Sequence, residues 1–192
     1  MFDAEDRVRI GEGFFRARDY TPIPLILLLL IYGEPSVKSA TLGLLLIILG
    51  EFLRIYSVGF IGSVSRTRSQ STGQQLIVEG PFAYVRNPLY CSNFMITLGF
   101  CLFGGKFWLV ALTVAAFAVQ YYFIVAYEEN LLKSRFGEQY LSYWSSVPRW
   151  IPRQLPSLDQ LSWPDSFTPA LRSEKRTLTT IFSLILLLVL FA

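Results

Sequence analysis

The chain of 192 residues contains no histidine and only two cysteines, Cys91 and Cys101. Histidine is the commonest metal ligand and the usual general base of enzymes. Its absence leaves no zinc-site spacing and no Ser-His or Cys-His pair, which argues against hydrolytic and metal-dependent sites. Both cysteines stand in one apolar segment, where a helix would separate them by about 15 Å. Disulfide Cα atoms lie within about 7 Å of each other, so we expect two small hydrophobes and no bridge.

Charged residues are also scarce: they make up 16% of the chain, whereas 53% of the residues are hydrophobic. A soluble domain of this size is typically about one-quarter charged. These values predict an integral membrane protein with a single domain over residues 1–192. Residues 1–19 carry both signs of charge and lack an apolar core, so no cleavable signal peptide is expected. Their interleaved arginines indicate an orientation signal or contact with membrane lipids, and no binding of nucleic acid.

Apolar segments separated by short turns predict an all-α fold, a polytopic membrane helical bundle of about five transmembrane helices. Residues 22–62 form an N-terminal helical hairpin around the turn Gly33-Glu34-Pro35-Ser36. A second hairpin joins residues 89–103 to residues 107–127 through Gly104-Gly105-Lys106. Residues 177–192 form a C-terminal apolar helix shorter than the roughly 20 residues of a straight crossing. We expect that helix to span with tilt or to dock on the bundle.

Polar groups continue the second hairpin beyond its apolar part. Its last helix runs through Glu128-Glu129 without a breaker until Gly137, so it is expected to project out of the bilayer. Residues 154–173 are rich in Pro, Ser, Trp and Leu, which is typical of an interfacial connection. Glu51 and Arg54 lie three residues apart on the second segment and are expected to form a structural pair inside the membrane.

The basic residues predict which side of the membrane each loop faces. If both hairpin tips lie on one side, that side holds only Lys38 and Lys106 of the 17 Lys and Arg residues. All others lie at or near the opposite side. Cytoplasmic loops carry such an excess of Lys and Arg. The sequence therefore predicts that the N-terminus, the loop before residue 88 and the stretch from residue 128 to residue 176 are cytoplasmic.

The segment Gly80-Pro81-Phe82-Ala83-Tyr84-Val85-Arg86-Asn87-Pro88-Leu89-Tyr90 places polar, charged and aromatic groups at the foot of an apolar helix. Helices joined by a three-residue turn are antiparallel neighbours, so Arg86 should lie close to Glu128 and Glu129. Adjacent carboxylates point about 100° apart on a helix, and one of them is expected to face inward. An interfacial salt-bridge cluster that only anchors the hairpin would give the same pattern. Ionisable groups placed near hydrocarbon indicate a functional site by default.

The residues that carry a family resemblance are these: Gly80 to Tyr90, Glu128-Glu129, Leu132, Phe136-Gly137, Tyr140, Tyr143 and Val147-Pro148-Arg149-Trp150-Ile151-Pro152. Over about residues 74–152, this pattern resembles the isoprenylcysteine carboxyl methyltransferase and phospholipid methyltransferase superfamily. The resemblance implies a helical, non-Rossmann methyltransferase that uses S-adenosylmethionine. It also implies a cofactor pocket at the cytoplasmic face and a lipophilic acceptor, an isoprenoid carboxylate or a lipid headgroup, that enters from the bilayer.

The resemblance also implies the site residues. A carboxylate of Glu128 or Glu129 would accept hydrogen bonds from the cofactor's ribose or ammonium group, and Arg86 or Arg149 would orient an acceptor carboxylate. The expected catalytic residues are Arg86, Glu129 and Arg149. The expected cofactor-binding residues are Gln74, Leu76, Val78, Gly80, Tyr84, Asn87, Pro88, Tyr90, Glu128 and Glu129.

Asn87 and Gln74 stand where the family often has histidine, and their amides cannot titrate, which indicates binding without proton transfer. Two other functions remain open. Sterol reductases share a related motif and fold but bind NADPH, and a degenerate relative would serve as a membrane scaffold. If the site is real, replacing Glu129 by Gln should remove cofactor binding and leave folding intact.

Overall fold

A computed structural model describes residues 3–61, 75–154 and 156–191. Within these ranges the chain forms six α-helices and no strand: α1 (Ala4–Ala17), α2 (Ile23–Tyr32), α3 (Val37–Ile61), α4 (Pro88–Phe103), α5 (Phe107–Ser146) and α6 (Thr168–Phe191). Short 3-10 turns occupy Gly80–Ala83 and Leu158–Gln160. The all-helical fold agrees with the sequence prediction, and α4 packs against α5 as expected of the second hairpin. Helix α2 packs against α5 and α6 rather than along α3, so the predicted N-terminal hairpin stays a prediction.

Helices α3 and α4 pack closely against each other because glycines line their contact. A side chain at Gly43 would place its Cβ 2.5 Å from the carbonyl oxygen of Gly99. A Cβ at Gly99 would in turn meet the Gly43 oxygen at 2.8 Å. Small residues at such crossings let two backbones approach closely, which is how apolar helices associate in membranes. The pair fixes the start of α4, and with it the polar segment that precedes α4.

The tips of the two hairpins contact each other. The backbone N–H of Glu34 donates to the carbonyl of Gly104 over 2.8 Å, and the Glu34 carboxylate pairs with Lys106 over 2.7 Å. An apolar core lies just inside this end, where Leu29 packs with Phe100 and with residues of α6. Cys101 is buried there as a free thiol, as the sequence predicted.

The two ends of the chain contain more helix than the sequence indicated. Residues 4–17 form α1, which lies across α5 and stacks Phe14 on Phe123 with ring centroids 5.9 Å apart. At the other end, α6 begins at Thr168, inside the segment expected to be an interfacial connection. Its polar first turns are therefore part of the bundle.

Arg54 has a different partner from the one predicted. Its Nε donates to a carboxylate oxygen of Glu174 on α6 over 2.9 Å, and Nη1 donates to Oδ1 of Asn93 on α4. Glu174 is fully buried. The guanidinium thus joins α3, α4 and α6. The predicted pair of Arg54 with Glu51 within α3 is therefore wrong.

Among the residues that the structure describes, two helices are long and apolar enough to cross a membrane, α3 and α5. Helices α2 and α4 are apolar but shorter. The number of about five transmembrane helices and the side of the membrane that each loop faces therefore stay predictions. Helix α5 contains the expected interruption, since Gly137 has φ 51° and ψ −126°, outside the helical region.

Candidate functional site

The polar segment before α4 is held by the chain that follows α5. After the 3-10 turn Gly80–Ala83, the backbone N–H of Arg86 donates to the carbonyl of Pro148 over 2.9 Å. Asn87 Nδ2 donates to the carbonyl of Arg149 over 3.3 Å. The two sequence motifs, about 60 residues apart, therefore meet through one main-chain hydrogen bond and one hydrogen bond from the Asn87 side chain.

Glu129 lies at the centre of this junction. Its Oε1 accepts from Arg86 Nη2 over 3.0 Å, from Arg86 Nε over 3.3 Å and from Arg149 Nε over 3.0 Å. Its Oε2 accepts from Arg149 Nη2 over 2.5 Å. Paired N–H groups of one guanidinium on one carboxylate are the strongest common ion-pair geometry. One carboxylate thus serves two arginines, and the predicted contact between Arg86 and the acidic pair is present.

The Arg86 guanidinium donates hydrogen bonds to several groups of the protein itself. Besides Glu129, its Nη1 donates to the carbonyl of Trp144 over 2.7 Å and to the carbonyl of Val147. The guanidinium also lies over the Trp144 ring, 5.2 Å from its centroid. Its side chain is only 9% exposed. This geometry gives Arg86 a positioning role, and it leaves no fork of paired donors for an acceptor carboxylate.

Glu128 faces a second group of residues. Its carboxylate accepts a hydrogen bond from the hydroxyl of Tyr90 at the start of α4. The Tyr90 ring packs edge-on against Tyr121, with centroids 4.6 Å apart, and Tyr121 stacks on Phe117 at 3.9 Å. Arg18, at the end of α1, interacts electrostatically with Glu128, Tyr90 and Tyr121. The two neighbouring carboxylates therefore serve different clusters, as their rotation about the helix requires.

Glu128 and Glu129 differ in how many acceptor positions their carboxylates leave for a ligand. Glu129 neutralises two arginines, so its oxygens are occupied on both edges. Glu128 carries one hydrogen bond from a neutral tyrosine and is partly buried. A carboxylate has about four acceptor positions. Glu128 is thus the member of the pair that can accept hydrogen bonds from a ligand.

Several other predicted cofactor-binding residues have contacts within the protein. Gly80 has φ +58°, and a Cβ there would lie 2.3 Å from the Phe60 ring, so packing and turn geometry both require glycine. The Tyr84 hydroxyl is 3.4 Å from the carbonyl of Gln160, on the side of the Leu158–Gln160 turn. Pro88 is buried at the first position of α4.

The remaining residues predicted to bind the cofactor lie before Gly80, on the chain that leads into the polar segment. Leu76 is half-buried and Val78 exposed, in extended chain that leads to Gly80. Gln74 lies outside the described residues.

Sequence reasoning placed neither Arg18 nor Tyr121 in the site. Arg18 stands among acidic and basic residues whose pattern resembles a solvated tail, and only the fold of α1 across α5 brings it to the site. Tyr121 had one available signal: it precedes Glu128 by seven residues, two helical turns, and so lies on the same face of α5.

Comparison with known proteins gives a consistent result. The family model described as phospholipid methyltransferase matches residues 39–139, which include all but the first two residues of α3, the polar segment, α4 and both carboxylates. A protein-S-isoprenylcysteine O-methyltransferase of Schizosaccharomyces pombe is 28% identical over 149 residues, which cover 74% of this chain and 60% of that protein. No solved structure matches.

Two further relatives carry names that refer to metal resistance. The nickel-cobalt-cadmium resistance protein NccN of Alcaligenes xylosoxydans xylosoxydans is 26% identical over 138 residues, 68% of this chain and 61% of that protein. The cobalt-zinc-cadmium resistance protein CzcN of Cupriavidus metallidurans is 29% identical over 113 residues, 59% of this chain and 49% of that protein. The chain thus spans about half to three-fifths of the length of these relatives. In the part of the chain that the structure describes, no group of three or more His, Cys, Asp or Glu could hold a metal ion.

Proposed function

Since the chain belongs to the phospholipid methyltransferase family, we propose that it is an integral membrane methyltransferase that uses S-adenosylmethionine to methylate a lipophilic acceptor. The whole of residues 1–192 would form one membrane domain, with the segment 74–152 as its methyltransferase core. The S. pombe relative, named for an O-methyltransferase activity, supports the reaction class. An isoprenoid carboxylate and a lipid headgroup both fit the lipophilic acceptor that the family match supports.

One observation carries the cofactor assignment: Glu128 and Tyr90 form a carboxylate-aromatic pair beside the Arg-Glu-Arg junction of Arg86, Glu129 and Arg149. A ligand with ribose hydroxyls and positive charge finds an acceptor in Glu128, and aromatic rings attract cations through their faces. The described chain contains no glycine-rich strand-turn-helix unit, which is the usual cradle of a nucleotide cofactor. The Glu128 cluster supplies another kind of cradle.

Methyl transfer from S-adenosylmethionine needs little acid-base catalysis by titratable groups, which fits a chain without histidine. S-adenosylmethionine, when bound, supplies the methyl group on a sulfonium. The protein's own residues would align the acceptor with that group and exclude water, and both effects lower the barrier of a bimolecular displacement. Arg86 and Arg149 would hold the loop, and Glu129 would fix both arginines. Asn87 would act through its amide contact with the Arg149 carbonyl, which positions the same segment.

The location of the pocket follows from the positive-inside pattern. Fifteen of the 17 basic residues would lie at or near the side that contains the Arg86 segment and the end of α5. We propose that this side is cytoplasmic. The hairpin tips, which contact each other through Glu34 and Lys106, would then face the opposite compartment.

Isothermal titration of the purified protein in mild detergent tests the proposal. We expect S-adenosylhomocysteine to bind, and we expect Glu128→Gln to lower its affinity about tenfold, since a hydrogen bond to a charged group is lost. Glu12→Gln is the matched control, because Glu12 pairs with Arg16 on the exposed face of α1. Binding of NADPH without S-adenosylhomocysteine would support a reductase. Binding of neither ligand would favour a scaffold, and equal affinity in wild type and Glu128→Gln would exclude Glu128 from the cofactor site.

A further inference from the structure

A groove of about 280 Å³ lies between α2 and α6 and contains none of the residues of the candidate site. Its lining consists of Ile26 of α2 and of Thr179, Thr180, Ser183, Leu184 and Leu187 of α6. All of them lie outside the family-matched region, residues 39–139. The volume far exceeds the roughly 10–15 Å³ that one water molecule needs. The groove therefore has room for part of a larger ligand.

The end of the groove nearest the C-terminus of α6 is apolar. Leu187 lines it, and Phe182 and Leu190 of the same helix are 69% and 68% exposed. Apolar side chains gathered on one surface mark contact with another molecule or with lipid. From Arg176 to Leu187 the helix rises by about 16 Å, which is about half of the roughly 30 Å hydrocarbon core of a bilayer. This face therefore matches the acyl chain of one leaflet in length.

Two arginines precede the groove on α6. Arg172, Arg176 and Ser183 are separated by nearly whole helical turns, so they lie on one face of the helix. Both arginines are exposed, and among the described residues neither forms an ion pair. Glu174, the acidic residue between them, is fully buried and binds Arg54. This end of the groove therefore carries positive charge that no side chain of the described chain neutralises.

Hydroxyl groups lie between the charged end and the apolar end. Oγ1 of Thr179 donates to the carbonyl of Lys175 over 2.8 Å, and Oγ1 of Thr180 donates to the carbonyl of Arg176 over 2.9 Å. The Ser183 hydroxyl, in contrast, donates no hydrogen bond to any described residue, so its proton is available to a ligand. The face thus presents cations, then hydroxyls, then hydrocarbon. A glycerophospholipid presents phosphate, ester and acyl chain in the same order.

We propose that the groove between α2 and α6 binds an anionic glycerophospholipid, with its phosphate on Arg172 and Arg176 and an ester carbonyl at Ser183. A choline or ethanolamine headgroup brings its own cation next to the two arginines, which disfavours a zwitterionic lipid. The lipid is a structural ligand and not the methyl acceptor, so the inference does not depend on the proposed methyltransferase function. By joining α2 to α6, it holds in place the helix that supplies Glu174 to Arg54.

Photolabelling in bilayers of defined composition tests the site. The full chain is reconstituted in phosphatidylcholine nanodiscs with a trace of phosphatidylglycerol or phosphatidylcholine that carries the same diazirine acyl chain, and labelled peptides are identified by mass spectrometry. We expect the phosphatidylglycerol probe to label α2 and α6 about thirtyfold more than the phosphatidylcholine probe, since each cation near an anionic headgroup favours it roughly fivefold. Arg172→Gln combined with Arg176→Gln should abolish this preference.

Lys133→Gln combined with Arg153→Gln is the matched control. It also removes two exposed cations that form no ion pair among the described residues, but neither of them lines the groove. The control variant should therefore keep the preference for phosphatidylglycerol. A preference lost equally in the control would show a general effect of net charge and would overturn the inference.

Two other outcomes would also overturn it: equal labelling of α2 and α6 by both probes in wild type, or a preference that survives in the double arginine variant. If that variant does not fold, Ser183→Trp decides, because Ser183 lines the groove and a large ring there should abolish labelling of both helices. Labelling that persists in Ser183→Trp refutes the groove as the lipid site.

Discussion

Replacing Glu129 by Gln is expected to destabilise the protein, and this differs from the sequence-based expectation that folding would be unaffected. The substitution keeps the size of the side chain but removes the charge that neutralises Arg86 and Arg149. The exposed fractions of the side chains are 14% for Glu129, 9% for Arg86 and 33% for Arg149. Removing one partner of a buried ion pair costs about 3–5 kcal/mol. Because Arg149 is partly solvated, we expect about 3 kcal/mol.

Thermal unfolding, followed by tryptophan fluorescence in mild detergent, measures this loss. For a chain of this length about 1 kcal/mol shifts Tm by roughly 2–4 °C, so Glu129→Gln should lower Tm by about 6–12 °C. The exposed control Glu12→Gln should lower it by about 1–2 °C. Adding Arg149→Gln to the Glu129 variant should restore part of the loss, because one uncompensated cation is removed. A Tm within about 2 °C of wild type in Glu129→Gln would refute the charge argument.

Three other contacts are tested by substitution. Tyr90→Phe keeps the ring but loses the hydrogen bond to Glu128, so S-adenosylhomocysteine affinity should fall about fivefold by titration calorimetry; an unchanged affinity would exclude this bond from binding. Gly11→Leu should expose α1 to limited proteolysis, because a Cβ there would lie 2.1 Å from a backbone oxygen of α5. Gly13→Leu, where a Cβ meets nothing within 4 Å, should resist cleavage like wild type, and equal cleavage of both variants would contradict the docking of α1. Glu174→Gln should lower Tm by about 6–12 °C, since it leaves the α3 arginine without its carboxylate; a drop of less than about 2 °C would show that α6 is not held by this pair.

The pairing of α4 with α5 could be predicted because it depends on local sequence. A turn of three residues makes the two apolar segments antiparallel neighbours. That constraint alone placed Arg86 beside the part of α5 that contains Glu129, to which it binds. The rotation of neighbouring residues about a helix also predicted that Glu128 and Glu129 would face different surroundings, and they do.

The rest depends on contacts between distant parts of the chain. Helix α1 carries charges of both signs, and the face formed by Gly11, Phe14 and Phe15 becomes recognisable only when α5 is beside it. The start of α6 looks like a polar linker because its charged residues are close together. Glu174 is stabilised in its buried position by Arg54, which lies 120 residues earlier in the chain. No local pattern contains that pairing.

The ion pair between Arg54 and Glu174 also constrains how the chain is made. At a synthesis rate of about 5–20 residues per second, the interval of 120 residues corresponds to about 6–24 s between the two side chains. During that interval α3 has left the ribosome and Arg54 has no Glu174 to bind. Helix α6 is made after α3, α4 and α5, so a later step of synthesis delivers the counter-charge for an arginine that was made much earlier. Completion of α6, rather than completion of the family-matched region 39–139, would then mark the point at which this bundle becomes stable.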